Sequence, residues 1–485
     1  MTRWSLARRV AATVGSLLVV AVVILVAGPE FTLLGAIGLA LVLILVRRPV
    51  LGLHLLVLLV PFNGLITQIT AGGAIATIYG ASKDFLLLGL LLVALVSGRL
   101  RRVPRWLVGL VVLMVTVPLI AGVFTPSVAQ ASYGWRNDYE PLLLLIVVPA
   151  LLDRRSVGRL LAVFVGAMEV AAATALVTWS IGLQWLLDIQ ILPVARQEDF
   201  PTSLFSSGSL RPRAFSPFVG PNEMAVVMAA TLAVIWLLPR LRASHRLLLS
   251  ALPVAAIMLS ESRSGILGMA VVLSVLAAHG IHRRSPLLTG GFIIAAVATV
   301  AGGAFLYITN KLGEDGDPSV GGHSLSLEAG IQTMFEHPFG LGLGVVGPRA
   351  EQYADSYRVE SFLLLLALES GIAVLLIFLF LLVRICRISV KAHGGLGFLP
   401  VAVLSATAVS QIVLPTFQEG AVSFLIWLLV GAGLVMIFTS DSAEGAEALA
   451  TTADTGRIGR GTPSARGGMP RSARVRPPVG APRRR

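Results

Sequence analysis

Arginine recurs along this chain in clusters between long apolar runs, and it does so at every second gap. Arg3, Arg8 and Arg9; Arg47 and Arg48; Arg99, Arg101, Arg102 and Arg105; Arg154, Arg155 and Arg159; Arg240, Arg242 and Arg246; Arg283 and Arg284; and Arg384, Arg387 and Lys391 mark alternate connections. Folding in water gives no reason for that beat, whereas a chain threaded back and forth through a bilayer keeps its basic loops on the cytoplasmic side. The apolar runs, about 14 of spanning or near-spanning length, cover 10–27, 31–46, 50–66, 83–97, 106–123, 139–152, 158–181, 222–239, 247–260, 264–280, 286–308, 359–383, 396–413 and 421–439. With 56% of its residues hydrophobic and 13% charged, the chain carries more apolar surface than a soluble core of 485 residues would bury. The expected fold is an all-α polytopic membrane protein with about 14 transmembrane helices, both termini cytoplasmic and long extracytoplasmic loops. The run at 10–27 follows three arginines as a signal peptide does, but no clear cleavage site precedes Glu30, and its removal leaves the other orientations unchanged.

Three stretches follow from this pattern: N-terminal membrane helices over 1–209, a second membrane region over 210–439, and a tail over 440–485. The outward connections include 124–138, 182–221 and 309–358, lengths that in a compact protein belong to lids or binding loops. In 309–358, Leu327, Ile331, Met334 and Phe335 fall at helical spacing, with Ser324 or Ser326 as a cap and Pro338 as a stop. Such a helix either lies on the outer membrane surface or packs on the bundle. The tail from Ser440 has no apolar period, reads as disordered, and ends in arginines without acids. Beside a bilayer those arginines suit anionic lipid better than nucleic acid. Cys386 stands alone, so one chain builds no disulfide and no cysteine metal site.

The informative charges break the basic-inside rule. Arg136, Arg196, Arg211, Arg213, Arg263, Arg349 and Arg358 fall on outward connections, where guanidinium groups suit an anionic substrate held near the membrane. Arg196 and Arg349 read as ordinary loop arginines meeting lipid phosphates; Arg263, in a connection too short to reach far into water, needs a partner or a ligand. Asn222 follows Pro221 at a helix start whose free N–H groups form an anion site as readily as a plain cap. Glu360, at the outer mouth of its run, is a candidate proton acceptor, with His323 and His337 as competing bases. Glu169 and Glu369 read as intramembrane carboxylates. Glu314-Asp315-Gly316-Asp317 contains the Asp-x-Asp of metal-dependent transferases, which beside Gly and Pro also marks a solvated turn.

Arg213 to Asn222, Ser262 to Gly268, Pro338 to Gly344 and Glu369 to Gly371, in this order and all near outward ends, resemble the O-antigen ligase and O-antigen polymerase superfamily. The resemblance covers about 210–380. It implies a GT-C-like, metal-independent glycosyltransferase without a cofactor, in the bacterial inner membrane. Such an enzyme moves a glycan from undecaprenyl pyrophosphate to a lipid-linked acceptor on the outer face. It further implies that Arg263 with Arg213 or Arg211 grips the pyrophosphate and that Arg136 matches a further arginine of polymerases. The ligases open the helix after the long loop with His-Asn; here Glu360-Ser361 stands instead, a departure that leans toward polymerases. Two other readings stay open: a flippase or exporter of lipid-linked sugars, which needs a charged path through the membrane, and a structural partner in an envelope assembly.

Overall fold

The computed structural model describes residues 45, 47–70, 74–182, 212–239, 241–282, 318–353, 356–392 and 395–458. They form helices, with isolated bridges such as Val346 to Tyr357 but no strands. In chain order these are α1 (Pro49–Leu59), α2 (Asn63–Ile69), α3 (Ala74–Val96), α4 (Arg105–Thr116), α5 (Val128–Asp138), α6 (Leu144–Leu151), α7 (Arg154–Ile181), α8 (Pro221–Leu237), α9 (Ala243–Leu259), α10 (Arg263–His282), α11 (Pro318–Glu336), α12 (Phe362–Ser370), α13 (Ile372–Lys391), α14 (Leu399–Val413) and α15 (Gly420–Ile458). Among the described residues 7 helices are long and apolar enough to cross a membrane, and Glu140–Leu151, Pro221–Leu237, Ala243–Leu259 and Gly395–Ala408 are shorter apolar helices. The chain is thus a helical, multi-pass membrane protein. The runs at 10–27 and 286–308 and nearly all of 31–46 lie outside the described residues.

Two expected spans take another form. The run at 359–383 is broken: α12 ends at Ser370, Gly371 turns with φ 91°, and α13 starts afresh. Apolarity on both sides of the glycine hides the break from the sequence. At 9 residues α12 rises only about 14 Å, half of a bilayer. The run at 139–152 is entered by a 3₁₀ turn at Glu140–Leu143 and continues as α6, whose residues are all buried. It is sheathed by protein and does not face lipid.

Burial ranks the remaining spans. Within α15, 89% of the span in Gly420–Thr439 is buried, against 28% for α10 and for α13, so α15 lies inside, as does the nearly wholly buried α8, while α10 and α13 are peripheral. A Cβ on Gly431 would come within 2.9 Å of Leu144 O, and one on Gly265 within 2.2 Å of the Ala225 Cβ. Small residues thus let α15 meet α6 and α10 meet α8 at backbone distance, the usual device where lipid offers no hydrophobic drive between helices. Phe417 meets Phe362 edge-on at 5.3 Å and Trp427 at a tilt at 5.2 Å, and so ties the start of α12 to α15. The amphipathic helix of the long loop begins at Pro318, earlier than the expected serine caps, and stops before Pro338. Its Leu327, Ile331 and Phe335 are exposed, while Gly330 meets Leu364 of α12. Contacts divide the chain into two units, Met1–Thr439 and Ser440–Arg485, with α15 helical as far as Ile458.

Among the described residues the connections fall into two groups, one with the basic clusters and one without. Arg384 lies over Trp106 at 4.4 Å and His279 stacks on Phe398 at 4.0 Å, joining connections of the basic group. Connections of the other group meet one another through Leu65 N–H to Pro217 O (2.9 Å), Gln130 Nε2 to Gly344 O (3.0 Å), Arg213 to Ser260 and Arg349 to Glu419. Helix α10 carries Arg263 at one end and His279 near the other, so the two groups occupy opposite ends of the bundle.

Candidate functional site

At the end without the basic clusters, two separate connections converge. The loop before α8 is pinned to the turn before α10 by Ala214 N–H to Leu259 O (3.0 Å) and by Arg213 Nε to Ser260 O (2.6 Å). The Arg213 guanidinium also donates to Asn222 Oδ1 at 3.3 Å, beside the free N–H groups of the α8 start. Ser262 caps α10, accepting from Gly265 N–H at 3.2 Å and contacting the Ser264 hydroxyl at 3.2 Å, so Arg263 opens that helix with its side chain exposed. Between Ser260 and Ser262, Glu261 takes φ 51°, a left-handed conformation uncommon for a residue with a Cβ, and such outliers gather at functional turns. Glu261, Glu223 and Arg263 all act electrostatically on Arg213. Burial weakens the hold of the Arg213 guanidinium on its proton, and the two glutamates oppose that. Arg213, Asn222 and Arg263 are therefore brought together; Arg211 lies outside the described residues.

Glu223, one residue after Asn222, leads to a second group. Its neighbours include Arg213 and the pair Arg349–Glu419. Arg349 Nε bonds Glu419 Oε1 at 2.6 Å with a second contact to Oε2, and Glu419 raises the arginine's pKa further. Arg349 is thus an anchored arginine and not one that meets lipid phosphates. Its backbone N–H donates to Gln418 Oε1 at 3.2 Å, and Gln418 Nε2 donates to Val346 O at 3.1 Å. Gln418 also faces Asp138, which lies against Glu369. Burial pushes the Asp138 carboxyl well above the usual carboxylate range. Glu369 is not inside a continuous span as expected: the break at Gly371 puts it at the end of α12, bonded from Gly344 N–H at 2.8 Å.

Arg136 sits elsewhere at this end. It pairs with Asp84, which also holds Lys83 at 2.5 Å, and Lys83 lies 4.5 Å from the centre of the Phe424 ring. Glu140 completes this group. Glu360, before α12, accepts from Arg358 at 3.3 Å. His337 is exposed at the end of α11, and the side chain of His323 and the Asp-x-Asp lie outside the described residues. Glu169 remains in the middle of α7, half-buried. Among the described residues no group of three or more His, Cys, Asp or Glu could hold a metal ion.

Sequence reasoning missed Glu223, Asp138, Lys83, Asp84 and Glu419. Lys83-Asp84 did carry a signal, since adjacent opposite charges at the start of an apolar run cost free energy unless partnered. Asp138 and Glu419 sit one or two residues outside apolar runs and carry none. No family model matches this chain, and no curated protein does. One solved structure, described as "Structural coordination of polymerization and crosslinking by a peptidoglycan synthase complex", is similar over 69% of this chain and 97% of that chain, with 21% identity and a TM-score of 0.34.

Proposed function

We propose that this chain is a polymerase-type glycosyltransferase with a GT-C-like architecture, which transfers a glycan from undecaprenyl pyrophosphate to a sugar hydroxyl of a lipid-linked acceptor. The observation that carries this reading is the meeting of Arg213 and Arg263, from different connections, beside Asn222 and the start of α8. Two guanidinium groups and a helix start at the membrane surface suit a diphosphate whose lipid tail lies between helices. Pyrophosphate leaves readily once its growing charge is met, and arginines meet it without a metal. The acceptor oxygen attacks the anomeric carbon, its proton passes to a carboxylate, and the bond to the pyrophosphate breaks, so a single displacement inverts the anomeric centre. Glu360 is one candidate for the proton; Glu223, beside Arg213, is the better placed, and Glu223→Gln is expected to lose more transfer than Glu360→Gln. Transfer of this kind to a different acceptor, as in a ligase, uses the same donor site. A flippase needs charge along the membrane interior, and with Glu369 at the polar end that path loses one of its two carboxylates.

The test is glycan transfer from a lipid-linked donor by the purified protein. Transfer is expected to survive EDTA, and Asp315→Ala with Asp317→Ala to keep most of it. A loss restored by magnesium or manganese moves the chemistry to the acidic loop. In the orientation proposed, the site faces outward from the bacterial inner membrane and both termini are cytoplasmic. In a Cys386→Ser background, cysteines replacing Ser206 and Ser319 are expected to react with an impermeant thiol reagent on intact cells, and one replacing Ser464 is not; the reverse pattern puts the site on the wrong side for a lipid-linked donor.

A further inference from the structure

We propose that Asp138 and Glu369 share a single proton, and that this proton holds the glycine loop 340–347, with Arg349 just beyond it, against the candidate site. The two side chains come from the last turns of α5 and α12, and their residues are 4% and 0% exposed. Both Asp138 oxygens and Glu369 Oε2 lack a conventional donor, yet the two carboxyls face each other within hydrogen-bond reach. Two carboxylates in contact and away from water do not both stay charged. One proton between them gives an O–H···O⁻ bond and supplies the donor that the orphaned oxygens require.

The loop is built onto this pair. Glu369 Oε1 accepts from Gly344 N–H at 2.8 Å, Glu369 O from Gly342 N–H at 3.2 Å, and Leu368 O from Leu341 N–H at 2.6 Å. From the other side Gln130 Nε2 reaches Gly344 O at 3.0 Å. Gly344 has φ 69°, and a Cβ there would lie 2.3 Å from Gln130 O, so only glycine lets the loop pass between α5 and α12. The groups that face the pair are Gln418 and Glu419 before α15, Tyr139 after α5, whose hydroxyl donates to Ser370 at 2.8 Å, and the N–H groups of Gly344 and Val346. None of these is a cation, and Arg349, the nearby one, is engaged by Glu419. When the proton leaves, nothing positive offsets the second carboxylate, and repulsion acts across the loop's own anchor. The held state binds one more proton than the released state, so its population falls as pH rises. Asp138 and Glu369 touch the loop and not the substrate; they are positioning residues.

The test needs no reaction assay and so stands apart from the proposed transfer. In the full-length protein with Cys386→Ser, a single cysteine replaces Val345, which packs partly buried on the core. Its labelling rate with a maleimide is measured from about pH 6 to about pH 9 and divided by the rate in the same protein carrying Glu369→Gln. The amide keeps an oxygen for Gly344 and offers Asp138 an N–H at every pH, and the ratio cancels the ionisation of the thiol itself. The expected ratio is near one at the acid end and rises about tenfold or more at the alkaline end. Asp138→Asn, which offers an N–H to Glu369, serves as a second reference. A ratio that stays flat against both variants, or variants that label faster than the parent at the acid end, overturns the proposal.

Discussion

Transfer by Arg263→Lys is expected to fall about a hundredfold, and transfer by Arg263→Ala at least as far, a loss of about 3 kcal/mol of transition-state stabilisation. The guanidinium holds two oxygens of a diphosphate in a fixed plane, whereas an ammonium is a point charge that does not keep their geometry as the leaving group gains charge. Arg263 is a cleaner probe than Arg213. Arg213 bonds Ser260 O and Asn222, so removing it loosens the turn before α10 as well as the anion site. Arg263 opens α10 with an exposed side chain, while the cap is made by Ser262, so the helix start survives the change. Both variants are to be compared at equal membrane levels. Near-normal transfer by both means that the arginine meets lipid phosphates and that the active site lies elsewhere.

The bundle was legible because membrane topology writes itself into local sequence: apolar runs and alternate arginines need no knowledge of what packs on what. The convergence of Arg213, Asn222 and Arg263 was legible for a related reason, since the two arginines broke the basic-inside rule on connections assigned to one side and Asn222, after Pro221, opened a helix there. Pairings were not legible. Arg349 looked like a loop arginine because its partner Glu419 lies in a different connection, and the pair is visible only once α12 and α15 are set side by side. Glu369 looked intramembrane because residues 359–383 are apolar on both sides of Gly371, and hydropathy does not register a left-handed turn. Asp138 ends a connection read as an outward loop, and nothing local says that it is buried.

Asp84→Ala is expected to destabilise the fold by about 3 kcal/mol, the second large effect. Lys83 and Asp84 are buried together, with side chains 7% and 12% exposed, and Lys83 rests on the Phe424 ring in a helix that crosses the membrane. Without Asp84 the ammonium keeps its desolvation cost and loses its counter-charge, and Glu140 replaces only part of it. Arg136, with 36% of its side chain exposed, turns to water at little cost. Replacing the pair together, Lys83→Met with Asp84→Leu, is expected to recover most of the stability, because the cost lies in the unpaired charge. Thermal unfolding in detergent reads both; equal losses in the single and double variants mean that the pair's geometry matters rather than its charge.

The central claim is that Arg213 and Arg263 form a diphosphate site at the membrane surface, and binding tests it without presuming a sugar or an acceptor. The measurement is the affinity of the purified protein in lipid nanodiscs for undecaprenyl pyrophosphate and for undecaprenyl phosphate, in the parent and in Arg213→Ala with Arg263→Ala. The account predicts tighter binding of the diphosphate by the parent and a loss of at least about a hundredfold in the double variant, the lower bound for two charge-assisted contacts. Equal affinity for the two lipids, or undiminished diphosphate binding by a well-folded double variant, would contradict it.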